Sequence, residues 1–498
     1  MRPLNPVSKT FTELRRFLSI DPHASDASDV RGEFTGLTSN TQFLQSGDLF
    51  IALPGRNFHG ASFITDVVSA GAVAVLTDAA GVDLVGNSLP ILVHPDPRAI
   101  AADAASWFYN RPFSSMFSVG ITGTNGKTTT ASLLAQLWSF QQREVGMIGT
   151  IGILVGKELY PTTFTTPEGT ELQAIAAMMS ERCLTHTVME VSSHALVNQR
   201  MRGSHFDIAA FTNLTQDHLD FHGTMANYFS AKSALFTPEY AERALVNIDD
   251  PWGKKLYASC TIPVEGVSRK DRGAQWHYTE IHAVQEGYEV AIRGTGGILI
   301  EGKVPLIGLH NLDNTLMAVA LGVESGLDPL AVGRDLAKLV GAPGRLESVA
   351  MGQSFLALVD FAHTPDAVTR ALSAVREITS GRIIALLGCG GDRDVTKRPL
   401  MGDALVTGSD IAIFTSDNPR SENPQDILMA MLNGKTESER VVIESNRRGA
   451  IAIAVSEAVA GDVVILLGKG HEGGQEINGV KEIFDDRLEL ARAIERLS

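Results

Sequence analysis

The chain has little that would tie it to an oxidising compartment, a membrane or a nucleic acid. Cysteine is scarce: three residues in 498, Cys183, Cys260 and Cys389, lie far apart and without metal-ligand spacing. That excludes a disulfide scaffold or a thiolate zinc site and fits a reducing compartment. They read as ordinary buried thiols, with Cys389 set apart by its glycine-rich surroundings. No apolar run approaches the ~20 residues that a spanning helix needs. Met1–Asp21 scatters its charges and has no apolar core, so neither a signal peptide nor a membrane anchor is expected there, and a cytoplasmic location is. Basic residues are outnumbered by acidic ones, 42 against 57, for a formal net charge of −15. Nucleic acids and anionic lipids are met by an excess of Lys and Arg, so neither is expected as a partner, and an anionic substrate must be held by local donors. Low-complexity tracts and internal repeats are absent.

What is present is the grammar of α/β domains. A hydrophobic share of 44% with 20% charged residues is that of a globular protein, and the length suggests about three domains. The first part alternates strand-like Asp48–Leu53, helix-like Ala61–Ala70 and strand-like Ala72–Leu76. Arg111–Ser115, with its Pro112, reads as a linker, and the turn-rich Gly341–Arg345 reads as a second one. The expected domains are therefore 1–112, 113–342 and 343–498. Strands are expected at Thr187–Val191, Ile208–Thr212 and Ala244–Asn247, then at Phe355–Asp360, Ile383–Gly388, Ile411–Thr415 and Val463–Leu467, alternating with helical patterns. Such alternation predicts mostly parallel sheets with helices on both faces, the last domain being Rossmann-like.

The strongest local signal is the run Gly120–Thr128, which follows an apolar stretch and precedes a helix-like one. Glycines let the backbone turn tightly so that amides reach phosphate oxygens, and the new helix offers its positive end to the anion. Lys127 is placed to reach the outer phosphates and Thr128 to bind Mg²⁺. The spacing from Gly120 to Gly126 is one residue longer than the usual loop pattern. Glu190, ending the next strand, is a candidate Mg²⁺ ligand, against the plainer possibility of a surface carboxylate. A further cluster, Asp217-His218-Leu219-Asp220 with His222, follows another strand. Ligands in open α/β sheets gather beyond the carboxyl ends of the strands. Three such ends in the last domain carry Asp360-Phe361-Ala362-His363, Asp417-Asn418-Pro419-Arg420 and Gly468-Lys469-Gly470-His471-Glu472.

Together Gly120–Thr128, Glu190–His194, Asn213 with Asp217–Asp220, Gly308–Asn314 and Pro343-Gly344-Arg345 resemble the Mur ligases, the ATP-dependent enzymes that add amino acids to the peptidoglycan precursor. Thr165-Thr166-Pro167, Asp360–Asp366, Gly388–Pro399, Asp417–Arg420 and Gly468–Glu472 are similar to the branch that adds the third residue. The resemblance implies a nucleotide site of Gly123, Thr124, Asn125, Gly126, Lys127, Thr128 and Thr129 with His310, Asn314, Arg345 and Asp360. It implies contacts to the UDP-substrate from Leu37, Ser39, Arg56, Asn57, Phe58, Thr165, Thr166, Ser192, Asn198 and Arg200. The incoming amino acid falls to Arg393, Asp417, Asn418, Pro419, Arg420, Gly468 and Glu472. Thr128, Glu190, His218 and Lys232, the last as a carbamate, correspond to the Mg²⁺ set, and Lys127, Lys232, His218 and Glu190 to the catalytic residues.

The implied activity joins meso-diaminopimelate to the D-glutamyl γ-carboxylate of UDP-N-acetylmuramoyl-L-alanyl-D-glutamate through an acyl phosphate, with ATP and Mg²⁺, in a monomeric enzyme. L-lysine or another diamino acid, or another ligase of the superfamily, stands as the alternative. A nucleotide-regulated binding protein is the rival from another class, and it leaves the His218, Lys232 and Arg420 matches unexplained.

Overall fold

A computed structural model describes residues 1–5, 7–20, 31–55, 58–284 and 287–497. Three larger sheets divide these residues. The first has four parallel strands in the order Gly36–Thr38, Asp48–Ile51, Ala74–Thr77 and Ile91–Val93. The expected helix at Ala61–Ala70 is a 3₁₀ turn, Gly60–Phe63, running into a short α-helix, Ile64–Ser69. Helix Pro97–Phe108 starts with Asp96 as cap and proline in its first turn, the combination that satisfies an orphan amide and pre-sets φ. Its alanine face meets Ala174 and Ala177 of helix Gly169–Glu181, which ties the first sheet to the second.

The second sheet has eleven strands, and its middle is parallel. Val145–Gly149, His186–Glu190, Phe117–Thr122, Phe206–Phe211, Ala241–Asn247, Val264–Ser268 and Trp276–Val284 run in that order. Antiparallel additions flank both ends, including the meander Trp276–Val284, Gly287–Arg293 and Leu299–Val304, for which no expectation was drawn from the sequence. Successive residues of the central strands enter opposite cores: Val188, Ile208 and Ala210 on one side, Met189, Ala209 and Phe211 on the other. This two-sided burial explains their nearly continuous apolar sequences. The joint before the sheet is ordered, with left-handed Asn110 and Arg111 leading into a 3₁₀ turn, Pro112–Ser115.

The third sheet places Glu347–Ser348 antiparallel to Leu356–Asp360. Val463–Leu467, Ile383–Leu387, Ile411–Phe414 and Val441–Ile443 then follow in parallel. The expected strands therefore exist, each within a few residues of its predicted bounds. The cysteines depart from expectation: Cys183 is exposed and Cys260 intermediate. Cys389 alone is buried, with its thiol on Met401 Sδ at 3.5 Å and pushed up to about 12 by burial.

Candidate active site

The carboxyl ends of the second and third sheets open onto one cleft. Strand Phe117–Thr122 ends in the turn 123–126, and helix Lys127–Phe140 begins immediately after it. Gly120, counted with the loop on sequence, lies inside the strand, where a Cβ would meet the Phe206 ring at 2.9 Å. The working loop is thus shorter than the motif suggested. Gly123 has φ +149 and Gly126 φ +86, and a Cβ at either would collide with Thr212 Oγ1 or Asn314 Oδ1 respectively. Only glycine combines such dihedrals with such close approach. Asn213 holds the loop from the next strand end: its carbonyl accepts from Thr124 N at 2.8 Å, and its side chain accepts from Asn125 N at 2.9 Å and donates to Asn125 O at 3.0 Å.

The helix start has no side-chain cap, which leaves its first amides and positive dipole end for an anion. Lys127 Nζ donates to the carbonyls of Gly123, at 3.0 Å, and Thr124, at 2.9 Å. Lys232 Nζ, almost fully buried on helix Met225–Ser233, donates to the same Gly123 carbonyl at 2.7 Å. Burial lowers the affinity of both amines for a proton, and the neighbouring Lys127 pushes Lys232 further down. Burial thus makes the unprotonated form of the Lys232 amine more accessible than an exposed lysine's.

Glu190 is 2% exposed, which excludes the surface reading. Its Oε2 accepts from Thr128 Oγ1 at 2.8 Å and Thr150 Oγ1 at 3.1 Å, and its Oε1 accepts from Thr150 N at 2.8 Å. Thr128 and Glu190 are thus joined, whereas Lys232 is turned to Gly123 and His218 to Asp217, with Nε2 3.3 Å from Oδ2. His218 adopts φ +53, an uncommon conformation for a non-glycine residue, and burial lowers its pKa. Among the described residues no three His, Cys, Asp or Glu side chains converge as a metal site.

An open cleft lies between the two sheets. His310, Asn314, Asn125, Gly126 and Thr129 line one wall, and Arg345, Asp360 and Arg370 the other. His310 is kept neutral, its pKa lowered to about 4 by burial and then by Arg370 and Arg345. Asp360 accepts from Leu346 N at 2.7 Å and Ala362 N at 2.8 Å, fixing the turn that carries Arg345 over the Phe361 ring at 4.6 Å. Arg345 Nε is buried without a hydrogen-bond partner. This orphan donor and the uncapped helix start both fit the phosphates of a nucleotide. Contacts between the two sides include Asn125 Nδ2 donating to Asp366 Oδ2 at 3.2 Å, Lys397 Nζ standing 3.8 Å from Asp217 Oδ1, and Tyr288 Oη donating to Glu377 Oε2 at 3.4 Å.

The residues expected around the UDP-substrate fall in two groups. Near Glu190, Thr166 Oγ1 donates to Glu190 O at 2.9 Å and accepts from Ser192 N at 3.0 Å. Thr165 shares a hydrogen bond of 3.1 Å with Thr150. Arg200 donates to Thr166 O at 3.0 Å and pairs with Glu168 at 2.6 Å, while Asn198 closes helix Ser193–Val197. In the first sheet, Leu37 is 2% exposed, so its side chain is core, and its strand borders a neighbouring cavity. The Ser39 hydroxyl is shared with Thr170 at 3.1 Å, and Phe58 is exposed. Arg56 and Asn57 lie outside the described residues.

On the third sheet, Asp417, Asn418, Gly468 and Glu472 are brought together by a residue the sequence reading left without a role. Lys469 is fully buried, and its Nζ donates to Gly474 O at 2.7 Å, Asn418 Oδ1 at 3.2 Å and Glu472 Oε2 at 3.3 Å, with Asp417 Oδ1 3.6 Å away. Asn418 Nδ2 donates to Glu472 Oε2 at 2.9 Å. Gly468, at φ +108, leaves no room for a Cβ beside Asp417 Oδ2 at 2.9 Å. Arg420, at φ +54, anchors Nη1 on Gly391 O at 2.6 Å, and a Cβ on Gly391 would collide with Pro419 O. Arg393 is exposed on the same loop. Behind them Arg447 and Asp486 form a fully buried pair, Nε to Oδ1 at 2.8 Å and Nη2 to Oδ2 at 2.5 Å. Arg447 also donates to Ser416 O and Leu467 O, the residues just before Asp417 and Gly468.

Known proteins resemble this chain over nearly its full length. Residues 33–109 match the catalytic domain of the Mur ligase family, 121–322 the Mur ligase middle domain, and 344–470 the Mur ligase glutamate ligase domain. A UDP-N-acetylmuramoyl-L-alanyl-D-glutamate--2,6-diaminopimelate ligase of Streptomyces coelicolor is 43% identical, the alignment covering 99% of this chain and 98% of that one. A UDP-N-acetylmuramyl-tripeptide synthetase of Leifsonia xyli is 38% identical over 99% and 98%. A solved diaminopimelate ligase of the same description superposes with a TM-score of 0.68 at 32% identity, covering 98% and 99%. MurF of Acinetobacter baumannii, at 17% identity over 93% and 96% with a TM-score of 0.67, shares the fold. With relatives of this identity over nearly its full length, the chain belongs to the Mur ligase family.

Proposed function

We propose that the protein is an ATP-dependent ligase that joins meso-diaminopimelate to the D-glutamyl γ-carboxylate of UDP-N-acetylmuramoyl-L-alanyl-D-glutamate in peptidoglycan precursor synthesis. A relative at 43% identity is named for this reaction, and one at 38% is named a UDP-N-acetylmuramyl-tripeptide synthetase. The observation that carries the reading is that the glycine turn and helix start at 123–129 on one sheet face Arg345, Asp360 and Arg370 of the next across a single cleft, with Lys397 reaching toward Asp217 from the same side as Arg345.

In the first step a γ-carboxylate oxygen attacks the γ-phosphorus of ATP, the bond to the bridging oxygen breaks, and ADP leaves. Lys127, the loop amides and Arg345 offset the charge on the transferring group. The amine of the incoming amino acid then attacks the acyl carbon, inorganic phosphate leaves with the electron pair of the C–O bond, and the nitrogen loses a proton. No protein nucleophile is required. Mg²⁺, held by Thr128, Glu190, His218 and Lys232, would neutralise phosphate charge when bound. A hydroxyl and a carboxylate suit that hard cation, and addition of CO₂ to the Lys232 amine in its unprotonated form, with loss of a proton, would create another carboxylate there. Domains 1–112, 113–342 and 343–498 would bind the uridine end, the nucleotide and the amino acid, with motion at Gly341–Arg345 completing the site. An ATP-consuming monomer in the cytoplasm fits this role. Among the described residues no helix is long and apolar enough to cross a membrane.

The test is phosphate release from ATP with UDP-N-acetylmuramoyl-L-alanyl-D-glutamate and either meso-diaminopimelate, L-lysine or no amino acid. Release with diaminopimelate alone is expected. Preference for lysine, or release independent of amino acid, would replace this reading.

A further inference from the structure

Lys397 opens helix Lys397–Gly408 beside the third sheet and takes no part in the two steps above. The turn before it is fixed by Asp394, whose Oδ1 accepts from Thr396 N at 2.9 Å and from the Thr396 hydroxyl at 2.6 Å. Arg398, the next residue, turns back towards its own sheet, donating to Glu422 Oε1 at 2.7 Å and to Gly390 O at 3.4 Å. Lys397 points the other way. Its side chain is 14% exposed, and its Nζ stands 3.8 Å from Asp217 Oδ1, beyond the end of a strand of the second sheet.

The segment that Lys397 reaches is laid along the phosphate loop. Asn213 O accepts from Thr124 N at 2.8 Å, Thr215 N donates to Thr124 Oγ1 at 3.1 Å, and Asn125 Nδ2 donates to Thr215 Oγ1 at 3.2 Å. The field of the Asp217 carboxylate is felt by both Lys127 and Lys232, which groups three lysine amines around it.

Lys397 is costly where it stands. A nearly buried ammonium needs hydrogen bonds or a close counter-charge, yet among the described residues it makes no hydrogen bond, and Asp217 lies beyond the reach of a hydrogen-bonded ion pair. Asp217 is shared besides: its Oδ1 accepts from His218 N at 3.0 Å, and its Oδ2 lies 3.3 Å from His218 Nε2. As the first residue of a helix, Lys397 also sets positive charge at the positive end of the dipole. An anion with several oxygens arriving at the loop would relieve each of these costs, and a phosphoryl group in transfer is such an anion.

We infer that Lys397 is a further catalytic residue, supplied from beside the third sheet, which donates to the non-bridging oxygens of the phosphoryl group as it passes from ATP to the γ-carboxylate. The inference rests on the two-step reaction proposed above. Lys397 stays protonated throughout: the carboxylate oxygen bonds to the γ-phosphorus, the bond to the bridging oxygen breaks towards ADP, and the ammonium offsets the charge of the group between them. Lys127 and Lys397 come from different sheets, so transfer is tied to the state in which the two sheet ends meet.

The test is single-turnover formation of ADP from ATP with UDP-N-acetylmuramoyl-L-alanyl-D-glutamate and no amino acid, which isolates the first step, in wild type, Lys397→Met and Lys397→Gln. Both variants remove the charge and relieve the helix start, so Tm should not fall; glutamine serves if methionine unfolds the protein. Either variant should slow this step about 100-fold to 1,000-fold, with dissociation constants for ATP and the UDP-substrate within about threefold of wild type. Small-angle scattering with both ligands bound should give the variants the radius of gyration of wild type. A first step within about threefold of wild type in a folded variant would overturn the inference. So would a slow step accompanied by a larger radius, which would make Lys397 a latch acting through Asp217. A wild-type protein that forms no ADP without amino acid would instead overturn the two-step reading.

Discussion

Replacing Arg447 by methionine should unfold the third sheet's domain far more easily while leaving the phosphate loop intact. Both members of the Arg447–Asp486 pair are 0% exposed, so neither charge has water to fall back on. The guanidinium makes two bonds to Asp486 and one each to the carbonyls of Ser416 and Leu467. Arg447→Met strands a buried carboxylate and those two carbonyls, and breaking a buried pair from one side costs about 3–5 kcal/mol. For a domain of this size that is a fall in Tm of roughly 6–20 °C. Asp486→Leu strands the guanidinium and should cost a similar amount. The double variant removes both charges together, and most of the stability should return. Urea unfolding of the four proteins gives the coupling energy directly. Because Ser416 and Leu467 precede Asp417 and Gly468, all three variants should raise KM for the amino acid more than KM for ATP. Single-variant losses below about 1 kcal/mol, or losses that simply add, would refute the assignment of this pair as a mutually dependent anchor.

Three further outcomes are expected. Lys232→Ala should abolish phosphate release, and added short carboxylic acids should restore part of it by supplying the missing oxygens; intact mass of active wild type showing only a bare amine would remove the carbamate. Arg420→Ala should lose its preference for meso-diaminopimelate over L-lysine in a competition at equal concentrations, because lysine offers the guanidinium no carboxylate, and an unchanged preference would remove Arg420 as the selector. Acid should weaken the fold through its buried histidines: His310 and His222 are lowered to about 4, mainly by burial, against an ordinary 6.5. Between those values the unfolded chain binds protons that the folded one does not, so stability rises with pH across that window, by up to about 1.4 kcal/mol per pH unit for each histidine. Urea midpoints at pH 5 and pH 7 check this, and His310→Asn should flatten the slope.

The parts of the candidate site made of consecutive residues could be picked out in the sequence, and the fold brings them to the carboxyl ends of its strands. The phosphate loop, Asp417–Arg420 and Gly468–Glu472 carry their chemistry within a few positions, and each sits where strand grammar puts ligands. Contacts between distant residues were not. Nothing local marks Arg447 as the partner of Asp486, or Lys232 as sharing a carbonyl with Lys127. Lys469 was visible inside its motif, but its role depends on burial under the hairpin formed by Gly474–Ile477 and Val480–Ile483, and a lysine is by default a surface residue. Gly120 was assigned to the loop because glycine signals turns, whereas here it clears space for Phe206. The antiparallel meander carried a usable signal in the alternation of Trp276–Val284 and Gly287–Arg293, which the reading of α/β repeats passed over.

The residues proposed to hold the amino acid come from one sheet and its hairpin, while the proposed phosphate loop belongs to another. The two meet through few side chains, among them Asn125 with Asp366 and Asp217 with Lys397. A lineage can therefore change which amino acid it installs by altering the other residues of 390–420 and those of 468–483 without disturbing the machinery that activates the carboxylate. The same division makes grafting practical. A C-terminal half taken from a relative with another amino-acid preference should be accepted by this phosphate loop provided that Asp366 and Lys397 travel with it, and the cell wall chemistry of the product would follow the donor of that half.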